Sequence, residues 1–277
     1  MRVIIGNLGA IYRRELQGYF VSPFAYMVAT IFWLLSGLFF VLILQGTIEQ
    51  SQAWDMQAAE MAQMGLQAPP VDAAYEFLKN FLGGMGYLSL FILPILSMGL
   101  YAEELKRGTL ELLATSPITN WAVAVGKLLG VVTFFTAMVM PLLGCEAIVF
   151  ASVKPPIPPS VPLLGHAGLI LLAASVLSVG MFISSLTEST ILAAILTFAL
   201  IIFLSVIEIL GNWLAQQLGT QWQLVGEAVG NLSLLKHYYN LVTGIFDSSS
   251  IVIFASYIIF GVFLTAASIE LVRFGRS

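Results

Sequence analysis

The sequence predicts an all-α integral membrane protein with six transmembrane helices, and composition and hydropathy are the observations behind that prediction. Of the 277 residues, 59% are hydrophobic and only 9% are charged, whereas about a quarter of a soluble domain is charged. Six apolar runs each reach the roughly 20 residues that a helix needs to cross a hydrocarbon core about 30 Å thick. A charge at the centre of such a helix costs about 2.5 to 3.5 kcal/mol, and most of the runs have none.

The first predicted element is an N-terminal interfacial helix over residues 1–23. Apolar residues recur at helical spacing between Ile4 and Tyr19 while arginines point elsewhere, a pattern typical of a helix that lies in the membrane interface. Pro23 ends this helix, because the residue before a proline disfavours the helical conformation. The alternative is a helix that continues directly into the first span.

The six predicted spans are residues 24–44, 81–101, 122–149, 163–186, 191–210 and 251–272. Pro94 is expected to bend the second span. Gly126 and Gly130 in the third span form a small-xxx-small face, which predicts close packing against another helix. Glu146 lies near the outer end of the same span, where we expect a solvated or hydrogen-bonded side chain rather than a substrate ligand.

The distribution of charged residues predicts a plasma (inner) membrane protein with both termini in the cytoplasm. Cations lie before the first span, between spans two and three, and after the sixth: Arg2, Arg13, Arg14, Lys106, Arg107, Arg273 and Arg276. The loop 45–80 on the opposite side has five acids and only Lys79 as a cation. Positively charged loops remain in the cytoplasm. We expect one or two short extracytoplasmic helices in the acidic loop.

Residues 211–250, between the fifth and sixth spans, predict short re-entrant helices on the extracytoplasmic side. The segment is too apolar for a solvated loop, but its apolar runs are too short to cross the membrane twice. Irregular backbone at that depth has to be buried in protein or face water. His237 within this segment is expected to form interfacial hydrogen bonds rather than to act as a titrating switch.

Several classes of chemistry are disfavoured by the motifs that the sequence lacks. The chain has no GxxxxGK[ST] phosphate-binding loop, no HExxH and no GxSxG, so it lacks the usual nucleotide site and the metal or nucleophile of a hydrolase. The lone cysteine, Cys145, excludes a disulfide framework and a cysteine metal site. Neither an intramembrane acid–histidine relay nor repeated halves are evident, which disfavours a proton-coupled carrier. We therefore predict no catalytic, cofactor-binding or metal-binding residue.

A charge-dense segment, residues 102–121, lies between the second and third spans. If residues 101–114 are helical, Glu103, Arg107 and Glu111 stack at successive i, i+4 positions and pair. Leucines fall on the other faces, so such a helix is amphipathic and suited to dock in a groove of a soluble partner. The alternative is a membrane-surface loop whose charges are solvated.

Four stretches of the sequence resemble a known family of membrane proteins. The run 104–113, ELKRGTLELL, followed by residues 115–117, TSP, resembles the cytoplasmic loop of ABC-2 type permeases, the membrane subunits of ATP-binding-cassette exporters. Residues 13–23, 182–188 and 232–247 resemble the gliding-motility branch of that family. These stretches follow the family's order and extend over nearly the whole chain.

The resemblance implies a permease that works as a dimer, either of two identical copies or of two different ones. Each copy would bind an ABC ATPase subunit, which holds ATP and magnesium and hydrolyses the ATP, so the chain itself would have no cofactor. Its other partner would be membrane lipid, with no nucleic acid. Gliding-type systems often include a large extracytoplasmic subunit, and the resemblance leaves such an accessory partner open.

The resemblance also implies roles for particular residues. A coupling helix would lie between spans two and three, with Glu103, Glu104, Arg107, Gly108, Thr109, Glu111, Leu112, Leu113, Ser116 and Pro117 in or beside the contact with the ATPase. In the re-entrant region the matching residues are His237, Gly244 and Asp247.

The leading functional hypothesis is the permease subunit of an ATP-driven exporter. One rival hypothesis is a non-transporting membrane scaffold that anchors a soluble partner, and another is an ATP-independent channel or carrier. A partner ATPase and nucleotide-dependent flux distinguish the first from both rivals. The substrate is left open, since lipid-linked, amphipathic, polysaccharide and peptide cargo all fit sparsely charged spans.

Overall fold

The computed structural model describes residues 2–68, 71–109, 119–153, 157–217, 225–226 and 228–274. These residues form helices joined by turns and contain no β-strand. In chain order the main helices are α1 (Arg2–Val21), α2 (Pro23–Gln63), α3 (Ala73–Ser97), α4 (Gly99–Lys106), α5 (Asn120–Phe150), α6 (Ser160–Ser184), α7 (Thr190–Gln217), α8 (Leu234–Val242) and α9 (Ser248–Phe274).

Six helical units are long and apolar enough to cross a membrane, which confirms the predicted all-α, six-span architecture. They are α2, α3 taken together with α4, α5, α6, α7 and α9. The third to sixth spans begin within three residues of their predicted starts at 122, 163, 191 and 251. Hydropathy locates these starts well because each follows a short polar or proline-containing link.

The helix that contains the first span is much longer than the predicted span. α2 runs without interruption for 41 residues, about 60 Å at 1.5 Å per residue, and so continues into the acidic loop in place of the short separate helices predicted there. Residues 45–63 are rich in Gln, Ala, Met and Glu and contain no proline, so helix propensity remains high after hydropathy has fallen. At its start, Ser22 Oγ accepts a hydrogen bond from the Ala25 N–H at 3.4 Å, which caps the helix.

The N-terminal helix is separate from the first span and packs along α5. Ser22 lies in an extended conformation between α1 and α2. A Cβ added at Gly126 would lie 2.7 Å from Cγ2 of Ile11, and one added at Gly130 would lie 2.9 Å from Cβ of Glu15. The small-residue face predicted in the third span is therefore confirmed, and its partner is α1.

The second span begins earlier than predicted and is divided near its end. Asp72 Oδ1 accepts a hydrogen bond from the Tyr75 N–H at 3.0 Å, and this cap starts α3 at Ala73 rather than at residue 81. The helical hydrogen-bond ladder is interrupted around Met98, after which α4 begins. The second span is thus two consecutive helices.

At the end of the bundle opposite α1, the short helix α8 packs against α3, α6 and α9. The Tyr238 ring of α8 lies against Gly86 of α3 and Gly168 of α6, two positions where a Cβ would meet it. Its hydroxyl donates to the backbone oxygen of Leu82 at 2.5 Å. A short helix therefore occurs where the sequence predicts re-entrant helices, while re-entry into the bilayer stays a prediction. Residues 218–224 of this segment lie outside the described residues.

Candidate functional site at the α1 end of the bundle

Four charged side chains from three helices meet at the α1 end of the bundle, and we call this group the ionic cluster. Lys127 Nζ lies 2.9 Å from Oε1 of Glu104 and 3.2 Å from Oε1 of Glu15. Arg14 Nη2 lies 3.1 Å from the same Glu104 oxygen and 3.0 Å from the same Glu15 oxygen. The cluster joins α1, α4 and α5 through residues that are far apart in the sequence.

Burial makes each charge of the ionic cluster depend on the others. The side chain of Lys127 is only 3% exposed, and those of Glu15 and Glu104 are 14% and 15% exposed. A buried ammonium requires counter-charges, which the two carboxylates supply, and Arg14, 63% exposed, neutralises the remaining negative charge. The ammonium also lies 5.1 Å from the centroid of the Tyr101 ring, within range of a cation–π interaction.

Ser184, at the end of α6, interrupts the hydrogen-bond ladder between α3 and α4. Its Oγ donates to the backbone oxygen of Met98 at 2.7 Å and accepts from the N–H groups of Tyr101 at 3.1 Å and Ala102 at 3.0 Å. In an uninterrupted helix the Ala102 N–H would donate to the Met98 oxygen instead. A side chain inserted into the ladder in this way permits a helix to bend, so α6 helps to position α4.

α4 ends at Lys106 in a turn that redirects the chain. Gly108 has a φ of +67°, a left-handed conformation that favours glycine and commonly terminates helices. The Thr109 N–H donates to the backbone oxygen of Glu104 at 3.0 Å, which closes this turn. The continuous helix over residues 101–114 on which the predicted ladder depends is interrupted by this turn at residues 107–109, and residues 110–114 lie outside the described residues.

The residues predicted to couple the chain to an ATPase separate into distinct groups. Glu103 and Arg107 are exposed and form the first of the predicted i, i+4 pairs, with Oε2 and Nη2 3.4 Å apart. Glu104 belongs to the ionic cluster, and Gly108 and Thr109 form the turn after α4. The remaining predicted residues, Glu111, Leu112, Leu113, Ser116 and Pro117, lie outside the described residues.

A cavity of about 830 Å³ opens beside the ionic cluster, between α1, the start of α2 and the α3–α4 junction. Its lining includes the charged side chains of the cluster together with Tyr19, Phe24 and Leu96. The Tyr19 hydroxyl donates to the backbone oxygen of Leu96 at 3.3 Å, and burial raises the pKa of this phenol, so it remains a neutral donor. In the described part of the chain, no three His, Cys, Asp or Glu residues form a metal-binding group.

The residues predicted at the extracytoplasmic end stand apart from this site. His237 is buried, its Nδ1 lies 3.0 Å from Ser250 Oγ, and its Nε2 donates to the backbone oxygen of Asn231 at 2.9 Å. The hydrogen-bonding role predicted for His237 is thus present, although inside the protein rather than at an interface. Gly244, with a φ of +77°, and Asp247 lie in the turn between α8 and α9.

Glu146 differs from the prediction of a solvated or hydrogen-bonded side chain. Its side chain is buried, and within the described residues neither carboxylate oxygen has a hydrogen-bond partner. The Nδ1 of His166 on α6 lies 3.7 Å from its Oε2 and itself donates to the backbone oxygen of Pro162 at 2.9 Å. An acid and a histidine therefore do meet inside the spans, as an isolated pair rather than the chain of groups that a relay requires.

Sequence reasoning overlooked three residues that organise the site: Glu15, Lys127 and Ser184. For Lys127 a signal is present, since an ionisable residue within an apolar run predicts a buried partner. For Glu15 and Ser184 the partners lie 112 and 86 residues away, at Lys127 and Met98, and no local pattern identifies them.

These features define a multi-pass membrane protein whose α1 end presents a short charged helix held by buried ion pairs. A family model described as ABC-2 family transporter protein matches residues 10–277. A comparison with curated proteins finds no similar sequence. The chain therefore belongs to the ABC-2 transporter family, whose members are membrane transport subunits that typically work with an ATPase subunit. The gliding-motility branch stays a hypothesis.

Proposed function

We propose that this chain is the permease subunit of an ATP-binding-cassette exporter, in which a separate cytoplasmic ATPase drives substrate across the plasma membrane. The observation that carries the proposal is the two-sided arrangement of α4. On one side Glu104 is bonded into the ionic cluster, and on the other Glu103, Lys106 and Arg107 are exposed. A protein bound to the exposed side is connected through α4 to both α1 and α5.

Movement of the ATPase would pass into the membrane domain through α4. The Ser184 hydroxyl takes the place of a backbone N–H as the donor to the Met98 oxygen. Because the helical hydrogen bonds are interrupted there, α4 can tilt with respect to α3. Because Glu104 bonds to both Arg14 and Lys127, such a tilt would displace α1 and α5 together. ATP drives the change only if the two conformations differ in their contacts with the ATPase. The substrate path would open between two permease copies, identical or different.

ATP and magnesium are assigned to the partner, because this chain has no phosphate-binding loop. The assignment of the α1 end to the cytoplasm rests on the cations at that end. An extracytoplasmic accessory subunit, if the complex has one, would meet the projecting end of α2, which is about 60 Å long and so extends well beyond a core about 30 Å thick.

The proposal is tested by reversing the exposed charges of α4 with Lys106→Glu/Arg107→Glu. We expect about a tenfold loss of bound ATPase, because reversed charges at an interface repel their former partners. Co-purification of the ATPase and vanadate-sensitive ATP hydrolysis measure the effect. The matched control is Lys79→Glu/Lys236→Glu, the same charge change at the opposite end of the bundle, which should leave association unchanged.

Three results would contradict the proposal. If the α4 variant binds the ATPase as strongly as wild type does, α4 is not part of the interface. A chain that binds no ATPase and shows no nucleotide-dependent flux would be a scaffold. Flux that is independent of nucleotide would indicate a channel or carrier.

A further inference from the structure

The cavity beside the ionic cluster changes from apolar to charged along its length. Phe24 and Ala25 line it from the first turn of α2, and Ile95 and Leu96 line it from the last turn of α3, where α3 meets α4 within the second span. Beyond them, the lining continues along α4 and α1 with charged side chains. This gradient matches an amphiphile whose tail lies toward the spans and whose headgroup lies at the α1 end.

Two guanidinium groups and one carboxylate are exposed at the mouth of the cavity. Arg14 and Arg107 are 63% and 73% exposed and Glu103 is 55% exposed, whereas Glu15 and Glu104 are only 14% and 15% exposed. Within the described residues, the ion pairs of both arginines use only Nη2. Each guanidinium has five N–H donors, so others remain for a ligand.

We propose that this cavity binds an anionic phospholipid of the surrounding leaflet, with its phosphate at Arg14 and Arg107 and its acyl chains toward Phe24 and Leu96. Arginine matches phosphate geometry because two N–H groups can donate side by side. The acids that line the cavity are each paired through one oxygen: Glu15 and Glu104 through Oε1 in the ionic cluster, where Oε2 of Glu104 is buried, and Glu103 through Oε2 with Arg107. One exposed carboxylate, that of Glu103, therefore stands against two exposed guanidinium groups. A volume of about 830 Å³ accommodates a headgroup and the first part of the chains. The inference does not depend on an ATPase.

The test measures lipid binding to the purified permease alone by native mass spectrometry, with phosphatidylglycerol and phosphatidylcholine as probes. Wild type is expected to retain phosphatidylglycerol in preference to phosphatidylcholine. The variant Arg14→Gln/Arg107→Gln should lose about tenfold or more of its affinity for phosphatidylglycerol, since each basic residue near a lipid surface contributes roughly a several-fold effect. Glycerol 3-phosphate, which has the phosphate but no acyl chains, should not compete at equal concentration.

The matched control is Arg13→Gln/Lys106→Gln, which removes the same charge from the neighbouring exposed positions of α1 and α4 that do not line the cavity. It should change affinity by less than about twofold. Because Arg14 also belongs to the ionic cluster, Arg107→Gln alone, outside that cluster, is a second variant and should lose about threefold or more. Thermal unfolding of every variant confirms that it is folded.

An equal loss of affinity in the control and cavity variants would overturn the proposal in favour of diffuse surface attraction. Equal retention of the two lipids by wild type would overturn the preference for an anionic headgroup. Competition by glycerol 3-phosphate would show a soluble phosphate site instead of a lipid site. None of these outcomes bears on whether an ATPase binds α4, so this inference and the proposed function fail separately.

Discussion

At the scale of single residues, the α1 end of the bundle depends on Lys127. Replacing it with Met keeps an apolar stem, but among the described residues it leaves Glu15 and Glu104 with the exposed Arg14 alone as an ion-pair partner. Removing one partner of a buried ion pair costs about 3 to 5 kcal/mol. We therefore expect Lys127→Met to lower the free energy of unfolding by about that amount, measured by denaturation of the purified protein in detergent.

The control for this prediction is Lys79→Met at the other end of the bundle. Lys79 Nζ lies 2.7 Å from Glu76 Oε2, but both side chains are partly exposed, and an exposed pair contributes about 0 to 1 kcal/mol. Neutralising both acids in Lys127→Met/Glu15→Gln/Glu104→Gln should recover much of the unfolding free energy that Lys127→Met loses. Equal destabilisation by the two single lysine variants would show that burial does not strengthen the cluster.

Asp247 is expected to make a pH-dependent contribution at the opposite end. Hydrogen bonds from the Ser249 hydroxyl and backbone N–H hold the pKa of this carboxyl below its ordinary value of 3.8. A carboxyl whose pKa is depressed by folding stabilises the protein fully above its unfolded pKa, and this stabilisation is lost as pH falls through the folded pKa. The unfolding temperature of Asp247→Ala should therefore lie below that of wild type at pH 6, and the gap should narrow below pH 3.8. A gap that stays constant to pH 3 would contradict this.

At the scale of elements, the junction of α3 and α4 depends on one hydroxyl from a third helix. Ser184→Ala removes the acceptor of two backbone N–H groups, those of Tyr101 and Ala102. Leaving buried donors unpaired costs about 1 to 3 kcal/mol. We expect this loss of stability together with faster amide hydrogen exchange in α4, measured by mass spectrometry.

The matched control is Ser89→Ala, another buried serine. Its hydroxyl donates to the backbone oxygen of Met85 within its own helix at 2.7 Å, so its removal takes no acceptor from a backbone N–H in that bond. Exchange in α4 should remain at the wild-type rate in this variant. If Ser184→Ala also leaves exchange unchanged, the hydroxyl does not define the junction.

The elements are predictable from the sequence where their signal is local. Six spans follow from hydropathy, and Gly126 and Gly130 predict a close contact because small residues are visible at fixed spacing. The end of the first span was placed at residue 44 because polarity ends a span, yet it does not end a helix: strong helix formers carry α2 to Gln63. Conversely, Gly108 ends α4 although charge periodicity continues past it.

The candidate site is less predictable, because its contacts join distant parts of the chain. The family resemblance places Glu104 in or beside the contact with an ATPase, but its ion-pair partners come from α1 and α5. The pairing of Glu146 with His166 depends on the register between two antiparallel helices. A proline-containing link joins those helices, and its composition does not specify that register.

At the scale of the whole molecule, the same helices connect the two ends of the bundle. α3 receives the Tyr238 ring at Gly86, near its middle, and adjoins the Ser184 junction at its end. α6 contributes Gly168 to the first of these contacts and Ser184 to the second. A displacement of α4 would therefore act on α3 and α6, which also contact α8. This arrangement gives a physical route from the proposed ATPase contact to the opposite face.

That route requires α4 to face the cytoplasm. Cysteine labelling tests this orientation of the whole molecule in the membrane. In a Cys145→Ser background, which removes the exposed native thiol, Met64→Cys after α2 and Lys106→Cys at the last residue of α4 occupy exposed positions at opposite ends. Positive loops remain inside, so we expect a membrane-impermeant maleimide to label Met64→Cys in intact cells and Lys106→Cys only after lysis. Leu186→Cys, exposed between α6 and α7, should behave like Lys106→Cys if six spans cross. The reverse labelling would place α4 outside, where no cytoplasmic ATPase can reach it.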